Sequence, residues 1–129
     1  MFYPITITTE GCFESDDFNI SLVLCELGYS LRGKRIRHNI CGRPQVLRRS
    51  VKVSSGWANE LFAELRDVNI PLLPSAIYDG CDGEFYSMSI GSSFGGVTYR
   101  WWNDPPEGWK LLPKITRRMI NEFSKHLPK

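Results

Sequence analysis

Apolar and polar side chains alternate through "FYPITIT" (residues 2–8), the two-residue period of a strand with one buried face. Pro4 has no N–H to give a neighbour, so this strand starts there or lies at a sheet edge. "GCFESDD" reads as a turn. Residues 19–31 continue the alternation as one long strand, with Val23, Cys25, Leu27, Tyr29 and Leu31 on one face and Ile20, Leu22 and Leu24 on the other. Both faces of that strand are expected to be partly covered. "GKRIRHNICGRP" then predicts a long hairpin connection to a third strand over 45–53.

After Ser54 and Ser55, either of which can cap a helix through its hydroxyl, the period changes. Trp57, Leu61, Phe62 and Leu65 make an apolar stripe, while Asn59, Glu60, Glu64 and Arg66 face outward. "NIPLLPSAIYDGCDG" is a loop of prolines and Asp-Gly turns. "EFYSMSIG" and "VTYRWW" follow as a hairpin around "SSFGG". A final helix is expected to start near Pro113, with Ile115, Met119, Phe123 and Leu127 repeating every four residues and Ile120 beside them. The order predicts an α+β fold: a mainly antiparallel sheet of about five strands with two amphipathic helices packed on one face.

The 129 residues fit one domain, 1–129, with enough apolar content (42%) to bury a core unaided. No segment reads as a secretory signal or a membrane span, which points to a cytoplasmic protein without a membrane partner. Four cysteines are then expected to be free thiols, not disulfides. The net charge of +2 conceals two blocks. Glu10, Glu14, Asp16, Asp17 and Glu26 precede any cation, and the segment 32–52 holds Arg32, Lys34, Arg35, Arg37, Arg43, Arg48, Arg49 and Lys52 without an acid. Opposite charges on adjacent strands add about 0.2–1 kcal/mol each, so pairing within the sheet would set register more than stability.

Three of the four tryptophans fall within "WWNDPPEGW" (101–109). In a strand Trp101 and Trp102 must face opposite ways, which puts Val97, Tyr99 and Trp101 in one row and Thr98, Arg100 and Trp102 in the other. Trp109 either folds back onto the sheet as core or joins Trp102 as an interface anchor; a cation cage of Tyr99, Trp102 and Trp109 is a third arrangement. Together the Ser-capped helix, the "DG…Y" hairpin, the Tyr-x-Trp-Trp strand, the Pro-x-x-Trp turn and the last helix span residues 54–126. In this pattern the chain resembles a group of small bacterial proteins of uncharacterised function, some of which are similar to toxin immunity proteins. The resemblance implies noncovalent neutralisation of a cognate protein toxin, but its motif carries no toxin-contacting residue. From the residues themselves the candidate partner contacts are Glu14, Asp16 and Asp17, suited to a basic surface, then Trp102 and Trp109.

An alternative is a nucleic-acid-binding accessory domain that uses Arg32, Lys34, Arg35, Arg37, Arg48 and Arg49 to neutralise phosphates. Catalysis is the least supported class. The chain holds two histidines and no nucleophile elbow, zinc-protease, P-loop or dinucleotide fingerprint, so a hydrolase would have to centre on His38. No cofactor is implied. Cys12, Cys25, His38 and Cys41 lack the close pairs of a structural zinc site, and "DGCDGE" departs from the ligand order of a calcium loop.

Overall fold

The computed structural model describes residues 5–11, 16–26, 28–38, 42–66, 84–92, 95–102 and 104–128. Its strands are β1 (Ile5–Glu10), β2 (Asp17–Cys25), β3 (Gly28–Arg37), β4 (Gln45–Lys52), β5 (Phe85–Ser92) and β6 (Gly95–Trp102). Its helices are α1 (Ser55–Arg66) and α2 (Leu111–Ser124). The chain is α+β, with one antiparallel sheet in the order β4-β3-β2-β1-β5-β6.

Six strands replace the expected five because residues 19–31 are two strands, not one. β2 ends at Cys25 and β3 begins at Gly28, whose φ of 115° is a left-handed conformation that only glycine adopts without strain. Register then sets Leu22 opposite Leu31 and Leu24 opposite Tyr29. Tyr29 and Leu31 therefore share the face of Leu22, not that of Val23. The first five residues of the basic stretch expected to be a connection, 33–37, are strand, since β3 runs on to Arg37.

One sheet face makes the core. Ile5, Ile7, Ile20, Leu22, Leu31, Val51, Met88, Tyr99 and Trp101 are buried there beneath Ala58 and Leu61 of α1 and Leu112, Ile115, Met119 and Phe123 of α2. Burying each large apolar side chain is worth about 1.5–3 kcal/mol, so this layer is the main source of stability. Ser54 caps α1: its Oγ accepts the Trp57 N–H at 3.0 Å. Arg118 then ties the helices together, donating to Glu64 at 3.0 Å and to Glu60 at 3.1 Å.

α2 begins two residues before Pro113, without a side-chain cap. A tight turn organises its entry instead. Pro106 C=O accepts the Trp109 N–H at 3.0 Å, Gly108 supplies the positive φ (94°), and Trp109 C=O accepts from Leu112. Among the described residues no helix is long and apolar enough to cross a membrane.

Candidate functional site

The other face of the sheet has no helix over it among the described elements. Thr6, Thr8 and Glu10 of β1 lie on it, with Asn19, Ser21, Val23 and Cys25 of β2, Arg32 and Lys34 of β3, and Arg48, Ser50 and Lys52 of β4. Phe85, Ser87 and Ser89 of β5 and Thr98, Arg100 and Trp102 of β6 complete it. Hydroxyl pairs cross the ladder at Thr6–Ser21 and Ser89–Thr98, each 2.8 Å. This is a polar surface with two differently equipped ends.

At the β5–β6 end the anchors are aromatic. Phe85 is 47% exposed, and it pairs directly with half-buried Trp102 and with Glu10 of β1. Thr8, Glu10, Phe85, Ser87 and Arg100 line a shallow depression of about 250 Å³ beside them. The indole Nε1 of Trp102 is buried and has no acceptor among the described residues. Exposed aromatics with a neighbouring arginine are the side chains that dominate protein interfaces.

At the β3–β4 end the surface is a basic trough of about 730 Å³. Arg32, Lys34 and Arg48 surround Asn19, Ser21, Ser50, Val23 and Gly33; Arg49 also borders the trough, but it pairs with Gly33 in the row of the other face and donates to the Arg48 carbonyl at 2.8 Å. Lys34 stands directly opposite Arg48 across the ladder, and Arg32 opposite Ser50. Arg32 donates to Cys25 Sγ at 3.0 Å, and Cys25 is a free thiol.

The candidate acids occupy different surroundings. Asp16 accepts from Arg37 at 3.2 Å through both carboxylate oxygens and lies 4.0 Å from Arg35 Nε, so it is already neutralised within the fold. The carboxylate also raises the Arg37 pKa, chiefly through the hydrogen bond. Asp17 is buried; it accepts the Gly11 N–H at 2.6 Å and shares a 2.6 Å hydrogen bond with His38 Nε2. The acidic and basic blocks thus pair where β2 meets β3. Neither aspartate presents the open acidic patch expected of a toxin contact, and His38, though exposed, is engaged by the Asp17 carboxylate. Glu14 lies outside the described residues, as do Cys12, Cys41 and Cys81.

Trp109 is corrected from partner contact to core. It is 5% exposed and meets Tyr99 edge-on, with centroids 5.0 Å apart at 81°. A buried indole packed on Tyr99 forms no cation cage with Trp102, which is on the opposite face. Of the four proposed contacts among the described residues, only Trp102 sits on the uncovered surface beside another exposed anchor. Phe85 was not singled out because "EFYSMSIG" gives no cue to which of its two rows the helices cover.

A third feature lies on the helix side. Trp101 stacks on Tyr86 (5.5 Å, 10°) at a cleft of about 310 Å³ that also includes Glu84, Asp104, Arg117 and Thr116. Tyr86 donates its hydroxyl to Glu84, and burial, then that bond and its charge, push the Tyr86 pKa up to about 12, with Arg117 opposing. The folded state holds the phenolic proton more tightly than the unfolded one. Its contribution to stability is therefore complete below about pH 10 and is lost as pH rises toward 12. Ultraviolet titration against Tyr86→Phe should show this late transition, and Glu84→Gln should move it down.

The chain matches no known family model and no curated protein. Among the described residues no three His, Cys, Asp or Glu side chains gather as metal donors.

Proposed function

We propose that the protein is an immunity-type inhibitor, which binds a cognate bacterial toxin noncovalently in the cytoplasm and covers a surface the toxin needs. The reading rests on the resemblance over residues 54–126 and on one observation of the fold: an uncovered sheet face that ends in Phe85, Trp102 and Arg100. Inhibition by covering requires no chemistry from the inhibitor. It requires a rigid surface with a few aromatic or arginine anchors, because these carry most of the energy in protein interfaces. A continuous antiparallel sheet backed by a packed core supplies that rigidity, and little ordering cost is left for binding.

The contact surface in this reading is the β5–β6 end of the open face, not the acidic loop. Trp102 is retained from the sequence-based candidates, with Phe85 and Arg100 added. Asp16, Asp17 and Trp109 are better assigned to holding the fold.

The test begins with affinity capture from the native lysate after nuclease treatment, followed by co-expression of the captured protein. The captured protein should arrest growth when expressed alone, and wild type should relieve the arrest. Phe85→Ala with Trp102→Ala should weaken the purified pair by about 2 kcal/mol or more, roughly thirtyfold, and abolish relief. A captured partner that is harmless alone, or full relief by the double variant, would overturn the reading.

A further inference from the structure

Some cations of the fold have carboxylate partners: Arg37 with Asp16, Arg118 with Glu60 and Glu64, Lys114 with Glu64, and Lys125 with Glu122; others, such as Arg66, Arg100 and Lys110, have no ion pair among the described residues. The trough at the β3–β4 end differs in how closely its cations cluster: Arg32, Lys34 and Arg48 share the open face of adjacent strands, and no ion pair among the described residues involves any of them.

Lys34 faces Arg48 across the ladder, and like charges directly opposite one another destabilise a sheet. Arg32 and Lys34 are two residues apart on one strand, about 7 Å, which is inside the Debye length of about 8 Å at physiological ionic strength. The repulsion is therefore not fully screened by salt. A folded chain that concentrates cations in this way gains most from a ligand that brings negative charge in a row.

We propose that this trough binds the phosphate backbone of a nucleic acid, independently of the toxin-binding reading. Its lining favours phosphates over an acidic protein surface. Protein interfaces have apolar centres depleted of charge, whereas Val23 is the one apolar side chain among the described residues lining the trough; Asn19, Ser21 and Ser50 add neutral hydrogen-bonding groups. No aromatic side chain is among the described lining, so the contacts fall on phosphates, which carry no sequence information. Of the six cations read from the sequence as a phosphate-binding set, Arg35 and Arg37 drop out because both turn to Asp16, and Arg49 drops out because its register places it on the other face, where it donates to the Arg48 carbonyl.

The experiment measures fluorescence anisotropy of a labelled oligothymidylate against salt concentration. Three phosphate contacts, from Arg32, Lys34 and Arg48, predict a log–log slope near −2, at about −0.7 per contact. Arg32→Gln, Lys34→Gln and Arg48→Gln together should weaken binding at least about tenfold and make the slope shallower by about 2. The same variant should unfold at an equal or higher denaturant concentration, because it removes the Lys34–Arg48 repulsion. Three exposed cations on the helix side, Arg66, Lys110 and Arg117, provide the charge-matched control. Their replacement by glutamine should leave the slope within about 1 of wild type.

Equal losses in the two triple variants would overturn the proposal, since net charge alone would then explain binding. So would failure of wild type to bind the oligonucleotide at low salt. Tighter binding of polyglutamate than of oligothymidylate would overturn it in favour of an acidic protein partner.

Discussion

Trp109→Ala is expected to cost about 3–5 kcal/mol, the usual range for removing a buried tryptophan. The indole is 5% exposed and packs edge-on against Tyr99, which is itself buried on β6. Its backbone has a second role: the N–H closes the turn from Pro106 and the carbonyl receives the Leu112 N–H in the first turn of α2. Loss of the ring would leave a cavity where the helix enters the core, and the neighbouring Leu112 and Ile115 cannot collapse into it without moving that entry. A domain of this size has about 5–15 kcal/mol in total, so the variant should be destabilised enough to unfold at markedly lower urea. A loss under about 1 kcal/mol would place the ring outside the core.

The second large effect is at Gly33. A methyl group there would sit 2.1 Å from the backbone carbonyl oxygen of Asn19 and 2.8 Å from the Cα of Ile20. Both atoms belong to the β2 backbone, so no side-chain rotation relieves the overlap. Gly33→Ala should therefore force β2 and β3 apart and cost about 2–3 kcal/mol, at the upper end of overpacking penalties. The same movement disturbs the floor between Asn19 and Lys34, and oligonucleotide binding should weaken with stability. Urea midpoints and anisotropy measured on one preparation check both. Stability within about 0.5 kcal/mol of wild type would mean the strands can accommodate the methyl group.

Much of this fold was legible from periodicity. The α1 stripe, the β5–β6 hairpin and the opposing rows of Trp101 and Trp102 follow from side-chain geometry that neighbours do not alter. The turn between β2 and β3 was not legible, because apolar residues run through it from Leu22 to Leu31 and Gly28 is its single glycine. Once that turn is missed, the basic segment after Gly33 loses its strand and seems to be a connection. The start of α2 was misplaced by two residues for a related reason. Pro113 suits a first helical position, yet the turn from Pro106 to Trp109 fixes the entry earlier.

The site was less legible than the fold. A run of acids signals charge but not whether that charge is exposed, and Asp16 and Asp17 are consumed by Arg37 and His38 from a strand more than twenty residues away in sequence. Likewise, the basic segment reads as one block, while the strand divides it. Arg32 and Lys34 face the open surface, and Arg35 and Arg37 turn toward Asp16. Which face is open follows only from where both helices pack.

The central claim is that the uncovered sheet face, not the helical layer, engages the partner protein. Hydroxyl-radical footprinting of the captured complex tests it most directly. The account predicts that Phe85 and Trp102 lose reactivity on binding while Phe62, Leu111 and Leu127 of the helical side keep theirs; protection of the helical side with Phe85 and Trp102 unchanged would contradict it.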